Sequence, residues 1–182
     1  SHSGFYSATV KPIEKGDRKI VLTERGDTVT ENAIMAAALC PGKTTIVGAS
    51  PNYMVQDVCF YLQKLGVQID GVGTTNITVH GVERIAKEIE YAPGEDPIEA
   101  MSFIAAGIAT KSEIEIKRVP IEFLEIELEI LRSMGQKMLV SDEYYGDNGH
   151  TRLVDIKLIE SKLTAPIDKI HPMPFPGLNI DS

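Results

Sequence analysis

The residues of this sequence that could do chemistry gather near its two ends. Glu24-Arg25-Gly26-Asp27-Thr28 immediately precedes the apolar run Ala33-Ile34-Met35-Ala36-Ala37-Ala38-Leu39, which places it at a helix start. Free N–H groups at a helix N-terminus point outward and suit anions, and Arg25 can act as a phosphate partner. Asp27 works against this, because its own carboxylate can cap those N–H groups and its charge opposes a second anion. The residues alone leave both readings open: an anion-binding turn, or a capped helix beside a solvated Arg. At the other end, Pro176-Gly177-Leu178-Asn179-Ile180-Asp181 presents a lone carboxylate, which without further context reads as a solvated acid.

Other chemical signals are weaker. Gly71-Val72-Gly73 lies between strand-like runs with no helix opening after it, so it reads as a turn and not as a dinucleotide loop. His80, His150 and His171 lack the mutual spacing and the Cys company of a metal site. Cys40 and Cys59 sit in apolar helical patterns, as small buried hydrophobes in a reducing compartment do. The acidic series from Glu122 to Glu129 reads as one solvated helix face.

Bulk properties narrow the function classes. The chain has 182 residues, 43% hydrophobic and 24% charged, as expected of a soluble globular protein. A formal net charge of -8, with no Lys/Arg cluster, argues against nucleic acid as a partner. No apolar run approaches the ~20 residues that span a bilayer, and the N-terminus lacks a signal-peptide layout, so a membrane role is not expected and a cytoplasmic location is.

A repeat positions these residues. Ala36-Ala37-Ala38 answers to Ala105-Ala106-Gly107, and Leu65-Gly66 answers to Met134-Gly135 at the same offset. Each copy begins with a helix start: Asp27 as N-cap in the first, and Asp96-Pro97-Ile98-Glu99, resembling a capping box, in the second. The stretches AIMAAALC and FIAAGIA are apolar almost all round, so both helices are expected to be buried on every side. Each is followed by an amphipathic helix, one with Val55, Val58, Cys59, Leu62 and Leu65 on its face, the other with Leu124, Leu128, Leu131 and Met134. Gly66 and Gly135 are expected to end these helices.

Strands are expected over 44–47, 76–79, 113–116 and 153–156, with an N-terminal hairpin from Phe5 to Val10 and Lys19 to Leu22. The fold class is therefore α/β, built of inside-out repeat units with apolar helices inside and mixed sheets facing solvent. The boundary falls near Tyr91-Ala92-Pro93-Gly94-Glu95, dividing the chain into 1–91 and 92–182.

The stretches TENAIMAAAL, LQKLGVQIDGVGTTNITVHGVE, DPIEAMSFIAAGI and PFPGLNID resemble the UDP-N-acetylglucosamine 1-carboxyvinyltransferase (enolpyruvyl transferase) family. That family folds as two inside-out α/β domains of six repeats in all, so the resemblance implies two central repeats, with a hinge near Pro93 and the remaining repeats as partners. It implies transfer of the enolpyruvyl group of phosphoenolpyruvate to the 3-hydroxyl of UDP-N-acetylglucosamine, a step of peptidoglycan precursor synthesis, without a cofactor.

Residue by residue, Asp181 takes the place of the Asp in the family's PGFPTD pattern, a candidate base at the sugar hydroxyl. Arg25, Gly26, Asp27 and Thr28 take the place of the segment that contacts the diphosphate. Leu178-Asn179-Ile180, Asp27 itself and Ser50-Pro51-Asn52-Tyr53 depart from the family's pattern and bear on the acceptor. The resemblance places the catalytic acid and the phosphoenolpyruvate-binding Lys and Arg residues outside this chain, which is then expected to be inactive alone and to self-associate. Enolpyruvyl transfer to UMP, the related shikimate-pathway transferase and a non-catalytic two-repeat binding module are the alternatives, with TENAIMAAAL and PFPGLNID favouring the nucleotide-sugar branch over the shikimate one.

Overall fold

The computed structural model describes residues 9, 16–165 and 169–178. Two helix-on-sheet units follow one another. In the first, the sheet runs β1-β2-β4-β3, formed by β1 (Arg18–Val21), β2 (Gly42–Val47), β3 (Gln68–Asp70) and β4 (Asn76–Gly81). Helices α1 (Asp27–Ala38) and α2 (Tyr53–Lys64) lie on one face of it. Ile34, Ala37 and Ala38 of α1 and Val55, Cys59 and Leu62 of α2 close over Ile46, Ile77 and Val79 of the sheet. The alternation that marked the strands is what aims these side chains at one face.

The second unit repeats the plan. Helices α3 (Pro97–Ala109) and α4 (Glu125–Ser133) accompany β5 (Glu115–Pro120), β6 (Lys137–Val140), β7 (Tyr144–Tyr145) and β8 (Arg152–Ile159). Strand β8 is central, paired antiparallel with β5 on one side and with β6 and β7 on the other. Ile104 of α3 and Leu128 of α4 meet Val119, Ile156 and Leu158 in its core.

The two copies agree down to single hydrogen bonds. Gly66 and Gly135 have φ of 100° and 98°. Val67 N donates to Leu62 O and Gly66 N to Gln63 O, while Gln136 N donates to Leu131 O and Gly135 N to Arg132 O. Both helices thus end in the same Schellman arrangement, in which a left-handed glycine lets two otherwise orphaned carbonyls be satisfied.

Three expectations need correction. Asp27 is not the N-cap of α1: Gly26 is, with no side-chain hydrogen bond to the helix, and Asp27 is the first helical residue. Helices α1 and α3 are not buried on every side, since Met35 is 45% and Phe103 53% exposed. One sheet and one neighbouring helix can cover only part of a helix surface, so an apolar face of each is left open within this chain. The third expected strand begins at Glu115, not Glu113, and breaks its register between Ile116 and Val119. The expected arm Lys19 to Leu22 contains most of β1, which runs parallel to β2, whereas Phe5 to Val10 falls almost entirely outside the described residues.

The closest helix–sheet approach is at Gly81, where an added Cβ would sit 1.9 Å from Cys40 O and 2.4 Å from Ala37 O. Those atoms are backbone at the end of α1 and cannot rotate away. At Gly107 the obstructing atoms are the side-chain ends of Ile114 and Leu158, at 2.7 and 2.8 Å. Gly81→Ala is therefore expected to destabilise the chain by about 3 kcal/mol or more and Gly107→Ala by about 1 kcal/mol, its overpacking partly offset by helix propensity. Urea unfolding of the two variants checks the order.

Candidate active site

The helix start singled out by its sequence is tied to the loop ahead of α2. The Asp27 carboxylate accepts hydrogen bonds from Ser50 Oγ (2.5 Å) and Asn52 Nδ2 (2.9 Å). Ser50 N donates to Thr30 Oγ1 (3.0 Å), and that hydroxyl donates to Gly26 O (2.7 Å). Asn52 Oδ1 in turn accepts from Tyr53 N (2.9 Å), capping α2. Asp27 therefore joins the N-terminal ends of two helices through a closed set of bonds. Thr30, Ser50 and Asn52 are buried, while Arg25 and Thr28 are exposed. The Glu31 carboxyl is held above its usual range, first by burial and then by the Asp27 charge. Ser50 and Asn52, in the segment that departs from the family pattern, are the residues that hold the Asp27 carboxylate.

Beside this turn, a cleft of about 390 Å³ opens between the two repeats. Glu31, Tyr53, Asp57, Phe60, Gly94 and Phe123 contribute to its walls, and among the described residues no Lys or Arg lines it. The C-terminal segment reaches the same place. Met173 N donates to Leu178 O (2.7 Å), folding 173–178 into a loop that sets the Phe175 ring 5.1 Å from Phe123, itself 5.9 Å from Tyr53. Asp181 lies outside the described residues.

Other reactive groups have structural surroundings. Burial pushes the Cys59 thiol up to about 12, far from a nucleophilic thiolate. His80 pairs with Asp70 at 2.9 Å, and His150 stacks on Phe60. Gly71 and Gly73 form the turn between β3 and β4, as expected.

A second groove, of about 540 Å³, runs between α3 and β5 with Glu95, Glu99, Phe103, Lys117 and Arg118 along it. Its cations are engaged: Arg118 with Glu95 and Asp147, Lys117 with Glu115 and Asp155. Arg118 sits at the register break of β5 with φ of 60° and donates its N–H to Asp155 Oδ1 (3.0 Å). Tyr144 donates its hydroxyl to the same oxygen (2.6 Å), and these donors, Tyr144 foremost, hold the Asp155 carboxyl below its usual range.

A carboxyl with a lowered folded pKa adds stability that is fully present above its ordinary value of about 3.9 and is lost as pH falls through the folded value. Tyr144→Phe removes the main donor, so its urea midpoint is expected to fall less than that of the wild type between about pH 4 and pH 2. Equal losses in both proteins would contradict the Tyr144 assignment.

Comparison with known proteins places these features in a family. The sequence matches the family described as EPSP synthase (3-phosphoshikimate 1-carboxyvinyltransferase) over residues 1–181. It is 36% identical over 162 residues to UDP-N-acetylglucosamine 1-carboxyvinyltransferase of Bacteroides fragilis, covering 89% of this chain and 36% of that protein. It is 34% identical over 178 residues to the Bacteroides thetaiotaomicron protein of the same name, covering 98% of this chain and 39% of that protein. The chain thus spans well under half the length of these relatives. The enolpyruvyl transferase NikO from Streptomyces tendae shares the fold, with a TM-score of 0.60 at 19% identity over 79% of this chain and 34% of that one. The chain belongs to the EPSP synthase (3-phosphoshikimate 1-carboxyvinyltransferase) family.

Proposed function

We propose that this chain is the two-repeat part of an enolpyruvyl transferase that moves the enolpyruvyl group of phosphoenolpyruvate to the 3-hydroxyl of UDP-N-acetylglucosamine, releasing phosphate, in peptidoglycan precursor synthesis. The names of its relatives support the reaction class. The observation that carries the reading is that Glu31 of α1 and Tyr53, Asp57 and Phe60 of α2 line one cleft together with Phe123, against whose ring Phe175 of the 173–178 loop packs. A cytoplasmic location goes with this reading, and no helix among the described residues is long and apolar enough to cross a membrane.

In this reading Asp181 accepts the proton of the sugar 3-hydroxyl as that oxygen attacks C2 of phosphoenolpyruvate. An acid protonates C3, giving a tetrahedral intermediate, and loss of the C3 proton and of phosphate then restores the double bond. That no Lys or Arg stands among the cleft's described lining residues fits a phosphate clamp, and with it the acid, contributed by the remaining repeats. In this reading Arg25, Gly26, Asp27 and Thr28 form the turn that meets the acceptor's phosphate, which is supported by a helix start with no side-chain cap at Gly26. The open apolar faces of α1 and α3, with Met35 and Phe103, are where those repeats pack; without them the isolated chain self-associates and is inactive.

One observation favours a second acceptor. The Asp27 carboxylate is fixed by Ser50 and Asn52, both neutral, so its charge stays at the turn and opposes a diphosphate more than a monophosphate. UMP is the acceptor this supports, and a non-catalytic two-repeat module is the reading left if no acceptor reacts.

In the complete protein, Asp181→Asn is expected to lower turnover by ~10²-fold or more; turnover equal to wild type would remove Asp181 as the base. Comparing UDP-N-acetylglucosamine, UMP and shikimate 3-phosphate as acceptors separates the branches. Asp27→Asn is expected to raise kcat/KM for UDP-N-acetylglucosamine relative to UMP by about 10-fold, corresponding to about 1.4 kcal/mol of relieved repulsion.

A further inference from the structure

The two sheets differ by one strand. Ile46 of β2 lies opposite Ile77 of β4, and Ile116 of β5 lies opposite Ile156 of β8, so β5 stands in the place of β2 and β8 in that of β4. Strand β6 pairs on the far side of β8 as β3 does on the far side of β4. The order β1-β2-β4-β3 thus becomes β5-β8-β6, and among the described residues no strand stands where β1 would. In the first sheet β1 runs parallel to β2, with Ile20 beside Ile46 and Leu22 N donating to Val47 O (2.9 Å). Ile20 and Leu22 pack against the core there.

The segment at the repeat offset from β1 lies elsewhere. Residues 87–90 answer to β1 but form no strand. The stretch around them is bound to the first repeat instead. Ile85 packs against the first core, Lys87 Nζ donates to Lys64 O (2.8 Å), and Asp57 Oδ1 accepts from Tyr91 Oη (2.7 Å) and Gly94 N (2.9 Å). The chain's own candidate for the position is therefore engaged by α2.

The open edge of β5 is built to pair. Leu158 N donates to Ile114 O (2.8 Å), so Ile114 and Ile116 direct main-chain groups at β8, and the alternation of an antiparallel ladder turns those of Glu115 and Lys117 outward. The groove of about 540 Å³ between α3 and β5 runs along this edge, with Ala100, Ile116 and the half-exposed Phe103 as apolar floor. Its rim is acidic: Glu95, Asp96, Glu99 and Glu115 outnumber Lys117 and Arg118, and both cations already pair with carboxylates. An uncovered strand edge above an apolar floor is a template for a further strand.

We infer that β5 receives a strand running parallel to it from the repeats outside this chain, one that sets an apolar residue beside Ile116 and a Lys or Arg beside Glu115. Strand β1 does the equivalent, setting Ile20 beside Ile46 and Lys19 beside Thr45. The register break at Arg118, whose N–H is taken by Asp155, ends the pairing after Lys117. The origin of the strand rests on the reading of this chain as part of a longer transferase; the preference of the edge does not.

A peptide of residues 16–23 is the probe, added to the intact chain and followed by backbone amide NMR. In the free chain the Glu115 and Lys117 amides are expected to exchange freely. With peptide bound to about nine-tenths occupancy they should exchange about 10-fold more slowly, with shift changes confined to β5 and α3. A nitroxide on the peptide N-terminus should broaden Ile114 and Glu115 more than Val119, since the strands run parallel. The same peptide carrying Ile20→Lys is expected not to bind. Protected Glu115 and Lys117 amides in the free chain, no change in them up to ~10 mM peptide, broadening strongest at Val119, or equal binding by the Ile20→Lys peptide each overturns the inference. None of these readouts depends on turnover, so failure of the transferase reading in acceptor assays is told apart from failure here.

Discussion

Close approach between a small-residue helix and the backbone of its sheet is the constraint on which the rest of this structure depends. At Gly81 the chain passes so near the end of α1 that no side chain fits, and at Gly107 the α3 surface is cut away to admit Ile114 and Leu158. Alanine-rich helices can lie this low on a sheet because they present little beyond Cβ. The Ser50 to Tyr53 loop, which follows β2, meets the first turn of α1 through the Asp27 bonds.

Electrostatically, the chain places fixed negative charge where its relatives would hold a phosphate-bearing acceptor in the proposed reading. Asp27 and Glu31 stand one turn apart on α1, and the second carboxyl already responds to the first. Neutral donors hold Asp27 in place without cancelling its charge. In the proposed reading the choice of acceptor turns on this carboxylate, separately from the transfer chemistry assigned there to Asp181.

Local signals carried much of the fold in the sequence. Asp96 caps α3 and Pro97 opens it, as the four-residue pattern implied, because a cap is decided within one turn. The apolar stripes of α2 and α4 and the terminating glycines were legible for the same reason. Asp27 was misplaced by one position because its partners, Ser50 and Asn52, lie more than twenty residues on, and a contact across a sheet edge leaves no local trace. Arg118 gave no warning of its left-handed backbone, which is uncommon outside glycine and is sustained here by the Asp155 and Glu95 bonds. Asp57 leaves no local sign of its role either, because its partners Tyr91 and Gly94 lie more than thirty residues on. For the candidate site, the helix turn could be found from its residues, whereas Asp181 could be singled out only by resemblance.

The matching helix terminators have a consequence for how such a chain can be copied. Gly66 and Gly135 release the polypeptide from α2 and α4 with nearly the same backbone angle and the same pair of carbonyl bonds. A duplicated unit that retains this exit sends its next strand out in the same direction whatever has drifted elsewhere in the copy. These two glycines are therefore natural crossover points: recombining repeats at them preserves strand direction, and modules of different ancestry could be joined there without redesigning the turn.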